Sequence, residues 1–466
     1  MGDYPANLGK RIKTLNNFSA NTIKLTPSNS QTETQNIKSS GAKLEFTLPP
    51  NSLLDLSTFS VFSDYSTVRG STHGDGDSRF ILARYANSLI SRLTVEVGGQ
   101  VVSDISEYGR LNSIFMDYQF GIEGSSKKLC QNVDPLKRIN KADGSNLGVI
   151  AAAQGNAAAT DAQKLVFDQF LGIMSGHVSH IDTGIVGNIK VTIYLEQPSK
   201  VLFKSGAFDS AGAASVNVNA ADALAEYSLE NVYATIRKIS IDDGIYYQSV
   251  STALSSGIPF AIKYNDFTES KSGATNGNIT VRAEVMSNSV DMVLLTFYNQ
   301  NAHVIDGLPN EAQIGDTKTK TAKELATEGK VNCFTSKYFK REGSDITSTQ
   351  FFLNNEPIPL NPMKNEQVFK QSLIDFNIHD DTDNGIYYGI NSLDSWNDNY
   401  WLATCSLSAL VEDSSWKSGF NCTGVNATLS ATTTSTHANA DYVAQMYVMT
   451  SRELQAFAGR QINVVR

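Results

Sequence analysis

"ISRLTVEVGGQVVSDISEYGRLNSIFMDY", Ile90 to Tyr118, reads as a strand, a two-glycine turn, a second short strand and an amphipathic helix. Leu93, Val95 and Val97 alternate with Thr94 and Glu96, the period-2 pattern of a strand with one buried face. Gly98-Gly99 suits a hairpin turn that needs positive φ at both central residues, and Gln100, Val101 and Val102 return from it. Asp104 followed three residues later by Glu107 is a helix-start signal. Ile105, Tyr108, Leu111, Phe115 and Tyr118 then recur at helical spacing. The unit carries no catalytic signature.

It also occurs a second time. In "ITSTQFFLNNEPIPLNPMKNEQVFKQSLIDF", Ile346 to Phe376, Asn354-Asn355-Glu356 stands for Gly98-Gly99-Gln100 at an offset of 256, and Val368, Phe369, Leu373 and Phe376 repeat the helix. Asn tolerates the left-handed backbone nearly as Gly does, so the turn is preserved. Two further pieces repeat in the same order. "LEFTLPPNSLLDLSTFSVF", Leu44 to Phe62, is echoed by "VRAEVMSNSVDMVLLTFY", Val281 to Tyr298, with Asn51-Ser52 matching Asn288-Ser289 at an offset of 237. "GNIKVTIYL", Gly187 to Leu195, aligns with "GVNATLSAT", Gly424 to Thr432, also at 237, and "NVYATIRKISI", Asn231 to Ile241, pairs with "QMYVMTSREL", Gln445 to Leu454. Loops are expected at Arg69–Arg79, Gly148–Gln163, Ser205–Ala223 and His303–Lys330, where Gly, Ala, Asn and Asp cluster. "DGIYYQSVSTALSSG", Asp243 to Gly257, reads as a short connecting helix ended by glycine.

Composition agrees with a strand-rich chain. Of 466 residues 41% are hydrophobic and 18% charged, the balance of a folded protein long enough for two or three cores. Thr, Ser and Asn recur, with 18 Tyr and 22 Phe, while long Leu/Glu/Lys-rich helical stretches are missing. The expectation is a mostly β protein. A net charge of -9 argues against a surface that coats nucleic acid throughout. Residues 1–43 nevertheless hold six lysines and arginines against Asp3 and Glu33, a local +4, so a basic arm containing Lys10, Arg11 and Lys13 precedes an acidic body. Four dispersed cysteines, Cys130, Cys333, Cys405 and Cys422, suggest neither a zinc knuckle nor a disulfide framework and favour a reducing compartment. No apolar run reaches the ~18 residues of a membrane helix, and no signal-peptide core is seen, so neither secretion by that route nor membrane integration is expected.

Motifs that carry chemistry are weak. His177 and His180 could place two ligands on one helical face, yet flanking Gly176 and Gly184 favour a loop. Asp380, Asp381 and Asp383 look like part of a calcium loop but lack its full register, so an acidic solvated turn is the simpler reading. No nucleophile elbow, phosphate loop, H-E-x-x-H or dinucleotide fingerprint occurs, and no cofactor, metal or catalytic residue is expected. Sequons at Asn17, Asn278, Asn421 and Asn426 are chance matches in an Asn/Ser/Thr-rich chain. Trp396, Tyr400 and Trp401 read as core or subunit interface.

The duplicated series resembles the double jelly-roll major capsid proteins of the lineage that includes adenovirus hexon, tailless lipid-containing phages, giant viruses and virophages. "LISRLTVEVGGQVVSDISEY", "FTLPPNSLLDLSTF" and "NVYATIRKISIDDGIYYQSV" carry the resemblance, with one departure: the acidic residue after the hairpin comes as Ser103-Asp104, one place late. The resemblance implies an all-β fold of two consecutive eight-stranded jelly-roll barrels with short helices and long loop insertions. It divides the chain into an arm at 1–42, a first barrel at 43–242, a connection at 243–277 and a second barrel at 278–466. It implies no enzyme activity but a homotrimer that tiles an icosahedral virion, assembled inside the host cell. Its partners would be neighbouring capsomers, penton and minor capsid proteins. Lys10, Arg11 and Lys13 would face an internal membrane or the genome. A viral receptor-binding or spike protein and a carbohydrate-active β-sandwich hydrolase are the alternatives from other classes.

Overall fold

The computed structural model describes residues 18–28, 34–37, 42–68, 79–82, 86–119, 163–175, 180–205, 207–208, 214–215, 226–241, 244–299, 339, 341, 343–376, 378, 393, 396–397, 400–408, 419–423, 428–436 and 442–465. Two equivalent sets of eight strands dominate them. The first is β1 (Phe18–Leu25), β2 (Lys43–Thr47), β3 (Leu53–Val68), β4 (Ile90–Val97), β5 (Gln100–Ser106), β6 (Gln163–Phe167), β7 (Ile189–Leu195) and β8 (Glu226–Ile241). The second is β9 (Phe260–Lys271), β10 (Asn278–Glu284), β11 (Val290–Asn299), β12 (Ile346–Leu353), β13 (Glu356–Met363), β14 (Ala403–Ser406), β15 (Thr428–Ser435) and β16 (Tyr442–Phe457). Strand β17 (Gln461–Val465) pairs with β16.

Each set forms two antiparallel sheets, ordered β1-β8-β3-β6 and β2-β7-β4-β5 in the first and β9-β16-β11-β14 and β10-β15-β12-β13 in the second. Every strand thus has its counterpart eight places later, with the same neighbours. Chain order alternating between two facing sheets in this way is a jelly roll, and the chain holds two. Strand β10 shows why these residues pair: Ile279, Val281 and Ala283 are buried while Thr280, Arg282 and Glu284 are exposed, one face inward and one in water. Between the sheets of the first barrel, Phe46 of β2 meets Phe59 of β3 edge-on at 5.9 Å.

The two barrels begin with strands that local pattern did not reveal. β1 lies inside the stretch read as the arm, and β9 inside the stretch read as the connection. Each pairs along its length with the last strand of its own barrel, β1 with β8 and β9 with β16. Helix α1 (Tyr108–Gln119) follows β5, α2 (Gly244–Ser255) joins the barrels and is followed by Gly257 at φ +80°, and α3 (Asn365–Asp375) follows β13.

Two sequence readings need correction, and the departure at the first hairpin finds its cause. Asp104 does not start a helix: it sits in β5, opposite Thr94, and its carboxylate accepts bonds from Arg92 Nε at 2.6 Å and Thr94 Oγ1 at 3.1 Å. The helix is instead capped by Glu107, whose carbonyl accepts from the amides of Arg110 and Leu111 at 3.1 and 3.2 Å. The one-place delay at Ser103-Asp104 is a β-bulge, since Glu96 pairs with Val101 but Val95 with Ser103, leaving Val102 extra. Finally, the offset of 237 proposed for β7 and β15 is out of phase. Val97 and Leu353, equivalent across the hairpins, pair with Ile189 and Leu429, so the offset is 429 minus 189, or 240. A shift of three residues is odd and turns every side chain to the wrong face, which alternation alone does not detect.

Candidate functional site

Residues 98 and 99, the turn of the first hairpin, have φ of +57° and +84°, and their counterparts Asn354 and Asn355 have +50° and +69°. The left-handed conformation at both central positions is what a two-residue turn of the I′ type requires. Gly98 does more than turn. A Cβ there would lie 3.0 Å from the carbonyl oxygen of Val186 and 2.9 Å from Ile462 Cγ1 in β17, whereas one at Gly99 meets nothing within 4 Å. The first hairpin tip therefore touches the second barrel's C-terminal strand. Lys10, Arg11 and Lys13 lie outside the described residues, as do His177, the Asp380–Asp383 cluster and the loop 303–330. His180 Nε2 stands 3.9 Å from Asp55. Among the described residues no three His, Cys, Asp or Glu side chains gather as a metal site.

What the structure does assemble is a polar and aromatic seam where β5 and α1 of the first barrel meet the second barrel. Ser103 of β5 donates to Asp266 of β9 at 2.6 Å, and Arg452 of β16 reaches the same carboxylate at 2.6 Å. Burial pushes the Asp266 carboxyl up, against the opposing pull of Arg452 and the Ser103 hydroxyl. Tyr264 of β9 donates to the carbonyl of Val102, the bulged residue, at 2.9 Å. Glu107 receives Lys271 Nζ at 2.5 Å and faces Lys200 Nζ at 3.7 Å. Burial opposes its ionisation, but the two lysines prevail and hold the carboxyl below its usual range.

Helix α1 acts as the wedge. Tyr108 to Tyr118 is buried on every side, because its second face is covered by the other barrel. Arg341 Nη2 donates to Asp117 at 2.8 Å, with the two side chains only 2% and 5% exposed. Arg110 donates to the carbonyl of Phe297 in β11 at 3.3 Å and lies over the Tyr298 ring at 4.7 Å. Trp396 Nε1 donates to Tyr118 Oη at 2.6 Å, and that hydroxyl donates to the carbonyl of Tyr400 at 2.8 Å. Phe115 packs edge-on against Phe267 at 5.3 Å and Phe376 at 5.7 Å. Trp396, Tyr400 and Trp401, read as core or interface, are all buried here. The seam's ionic partners were not visible in sequence, because Asp117 and Arg341 stand 224 positions apart and Ser103 and Asp266 stand 163 apart.

The seam has open counterparts on the outside of the molecule. β13 and α3 are the second barrel's copies of β5 and α1, but Ile358, the register counterpart of buried Ser103, is only half-buried, and Pro359, Leu360 and Asn361 are exposed between it and Met363, the buried counterpart of Ile105. Leu360 is 83% exposed. It sits on a bulge: Phe351 pairs with Ile358 but Thr349 with Met363, so three extra residues arch out of the ladder. Prolines 359 and 362 lack the amide the ladder needs, which favours the arch. Helix α3 buries only Val368 and Ser372, in contrast to α1, and exposes Ile374. On the opposite side, β1 copies β9. Ala20 corresponds to Asp266 through their partners Ile239 and Thr450, which face Leu53 and Val290, and Ala20 is exposed where Asp266 is buried.

No family model matches the chain, and no curated protein matches it in sequence. Solved structures do. The chain aligns with the PBCV-1 virus capsid at a TM-score of 0.55 and 13% identity, over 98% of this chain and 99% of that one. It aligns with a chain of the Sputnik virophage structure at 0.58 and 10%, over 97% and 89%, and with the Faustovirus major capsid protein at 0.53 and 11%, over 95% and 91%. The likeness runs the length of both chains and shows that this chain has the double jelly-roll fold of those proteins.

Proposed function

We propose that the protein is a major capsid protein, a non-enzymatic lattice subunit whose two barrels form one third of a pseudo-hexameric homotrimer that tiles an icosahedral shell. The carrying observation is that the molecule holds one contact closed within the chain and, separately, both halves of a second copy of it left open. Within the chain β5 and α1 cover β9; β13 with α3, and β1, are the unpaired halves of the same contact. Joining β13 and α3 of one copy to β1 of the next is a head-to-tail interface, and such an interface forms a closed ring when its rotation divides a full turn. Six barrels from three chains give a hexagonal outline suited to a lattice. The structural likeness to viral capsid proteins over nearly the whole chain supports the same reading, and the basic Lys10, Arg11 and Lys13 suit an inner surface facing anionic lipid or nucleic acid. Negative-stain microscopy of the purified chain tests it: six-lobed hexagonal particles or shells are expected, and isolated two-lobed particles at micromolar concentration would refute it.

A further inference from the structure

The outer face of the first barrel's β1-β8-β3 sheet carries a half-buried aromatic platform. Val61 and Ala234 pair across β3 and β8 and are fully buried, so the next pair, Phe62 and Tyr233, points the other way. Their rings stack at 5.1 Å with 12° between planes, and Lys24 Nζ of β1 lies 4.3 Å from the Tyr233 centroid. The second barrel repeats the pattern: Phe297 of β11 pairs with Ala444 of β16, both buried, and Tyr298 follows on the outer face. Tyr298 is therefore the counterpart of Phe62. In the seam it is covered, because Arg110 of α1 lies over its ring at 4.7 Å.

The helix starts align α3 with α1. The Lys364 carbonyl accepts from the amides of Gln367 and Val368 at 2.9 Å, as the Glu107 carbonyl does from Arg110 and Leu111, an offset of 367 minus 110, or 257. Leu111 and Val368, which then coincide, are both fully buried. The same offset sets Gln367, Lys370 and Ile374 in the places of Arg110, Ser113 and Asp117. Those three α1 residues reach the second barrel, Arg110 at Phe297 and Tyr298, Ser113 and Asp117 at Arg341. Their counterparts on α3 are exposed in the single chain. We propose that α3 of one copy covers the Phe62–Tyr233 platform of the next, and that Lys24 selects this helix by excluding a cation at position 367; the inference rests on the head-to-tail trimer. The seam holds two cations near Tyr298, Arg110 and Lys271, and the Glu107 carboxylate attracts both. α3 has Lys364 in place of Glu107, exposed and with a stem long enough to keep its ammonium in water. No carboxylate from α3 then offsets a guanidinium beside Lys24, whereas the amide N–H of a glutamine can rest on an aromatic face. Like charges set together across an interface suppress wrong pairings, so the platform accepts α3 and rejects a helix carrying arginine there.

Sedimentation of the full-length chain over a dilution series at low salt tests this. Gln367→Arg, on an exposed helix position, should raise the concentration at which half the chains are trimeric by roughly tenfold or more. Adding Lys24→Gln to that variant should bring the midpoint back to within about threefold of wild type, and high salt should shrink the single-variant effect. Hydroxyl-radical labelling of Phe62 and Tyr233 should be lost as dilute monomer assembles into trimer. A trimer indifferent to Gln367→Arg, a weakening that Lys24→Gln does not relieve, or rings labelled equally in monomer and trimer would overturn this proposal and leave the trimer standing. A wild-type chain that sediments only as monomer would overturn both.

Discussion

Asp117→Ala removes the carboxylate that Arg341 contacts at 2.8 Å inside the seam. Both side chains are almost fully covered, so the substitution leaves the buried Arg341 guanidinium without that acceptor. Breaking one side of a buried pair costs about 3–5 kcal/mol, because the remaining charge keeps its desolvation penalty and loses its counter-charge. For a unit of barrel size each kcal/mol moves Tm by about 2–4 °C, which gives an expected drop of roughly 6–20 °C. Calorimetry at one fixed scan rate reads it. Asp117→Leu combined with Arg341→Met should recover most of the loss, since an apolar pair of similar volume avoids both penalties. A single-variant drop of less than ~2 °C, within the effect of an ordinary surface substitution, would refute the argument. So would a double variant that loses as much as the two single changes added together.

Other outcomes follow from the same geometry. Gly99→Asn should change stability by less than ~0.5 kcal/mol, because barrel two already uses Asn at both turn positions, while Gly98→Asn should cost about 1–3 kcal/mol through contact with Val186 O and Ile462; urea titration separates them. Glu107 has its folded carboxyl below the unfolded value, so its contribution is present above the ordinary carboxylate range and is lost as pH falls through the folded value. Glu107→Gln should therefore lower Tm at pH 7, with the difference closing as pH falls below about 4; a constant difference would contradict this. Leu360→Lys and Ile374→Lys should leave the barrels folded by circular dichroism and yield monomers by light scattering, because both side chains are exposed in the single chain. Replacing Lys10, Arg11 and Lys13 together by Gln should leave the trimer intact and reduce particle yield, an effect that high salt imposes equally on the wild type.

The hairpins were legible because their signals are local. Two residues that tolerate positive φ, flanked by alternating apolar residues, leave few other readings for Gly98-Gly99 or Asn354-Asn355. Strands β1 and β9 were passed over for the opposite reason. "FSANTIKL" and "FAIKYNDFTESK" mix polar residues into both faces, and their place in the sheet comes from partners more than 170 positions away, Phe18 with Ile241 and Lys263 with Glu453. Asp104 was misread because an acceptor with Glu at the third place marks a helix start only when the backbone is free. Here the ladder continues to Ser106, and a cross-strand arginine competes for the carboxylate. The seam lay beyond reach altogether, since neither Asp117 nor Arg341 has neighbours in sequence that single it out. Its aromatic members were nearer to view, because the large apolar rings of Trp396 and Trp401 must be covered by something.

The mass of the purified full-length chain in solution, by native mass spectrometry at micromolar concentration, bears most directly on the central claim. Head-to-tail closure of six barrels predicts a species of three chains, 3 × 50.6 kDa, or about 152 kDa, without dimer or tetramer. A stable folded species at 50.6 kDa across that concentration range would contradict it.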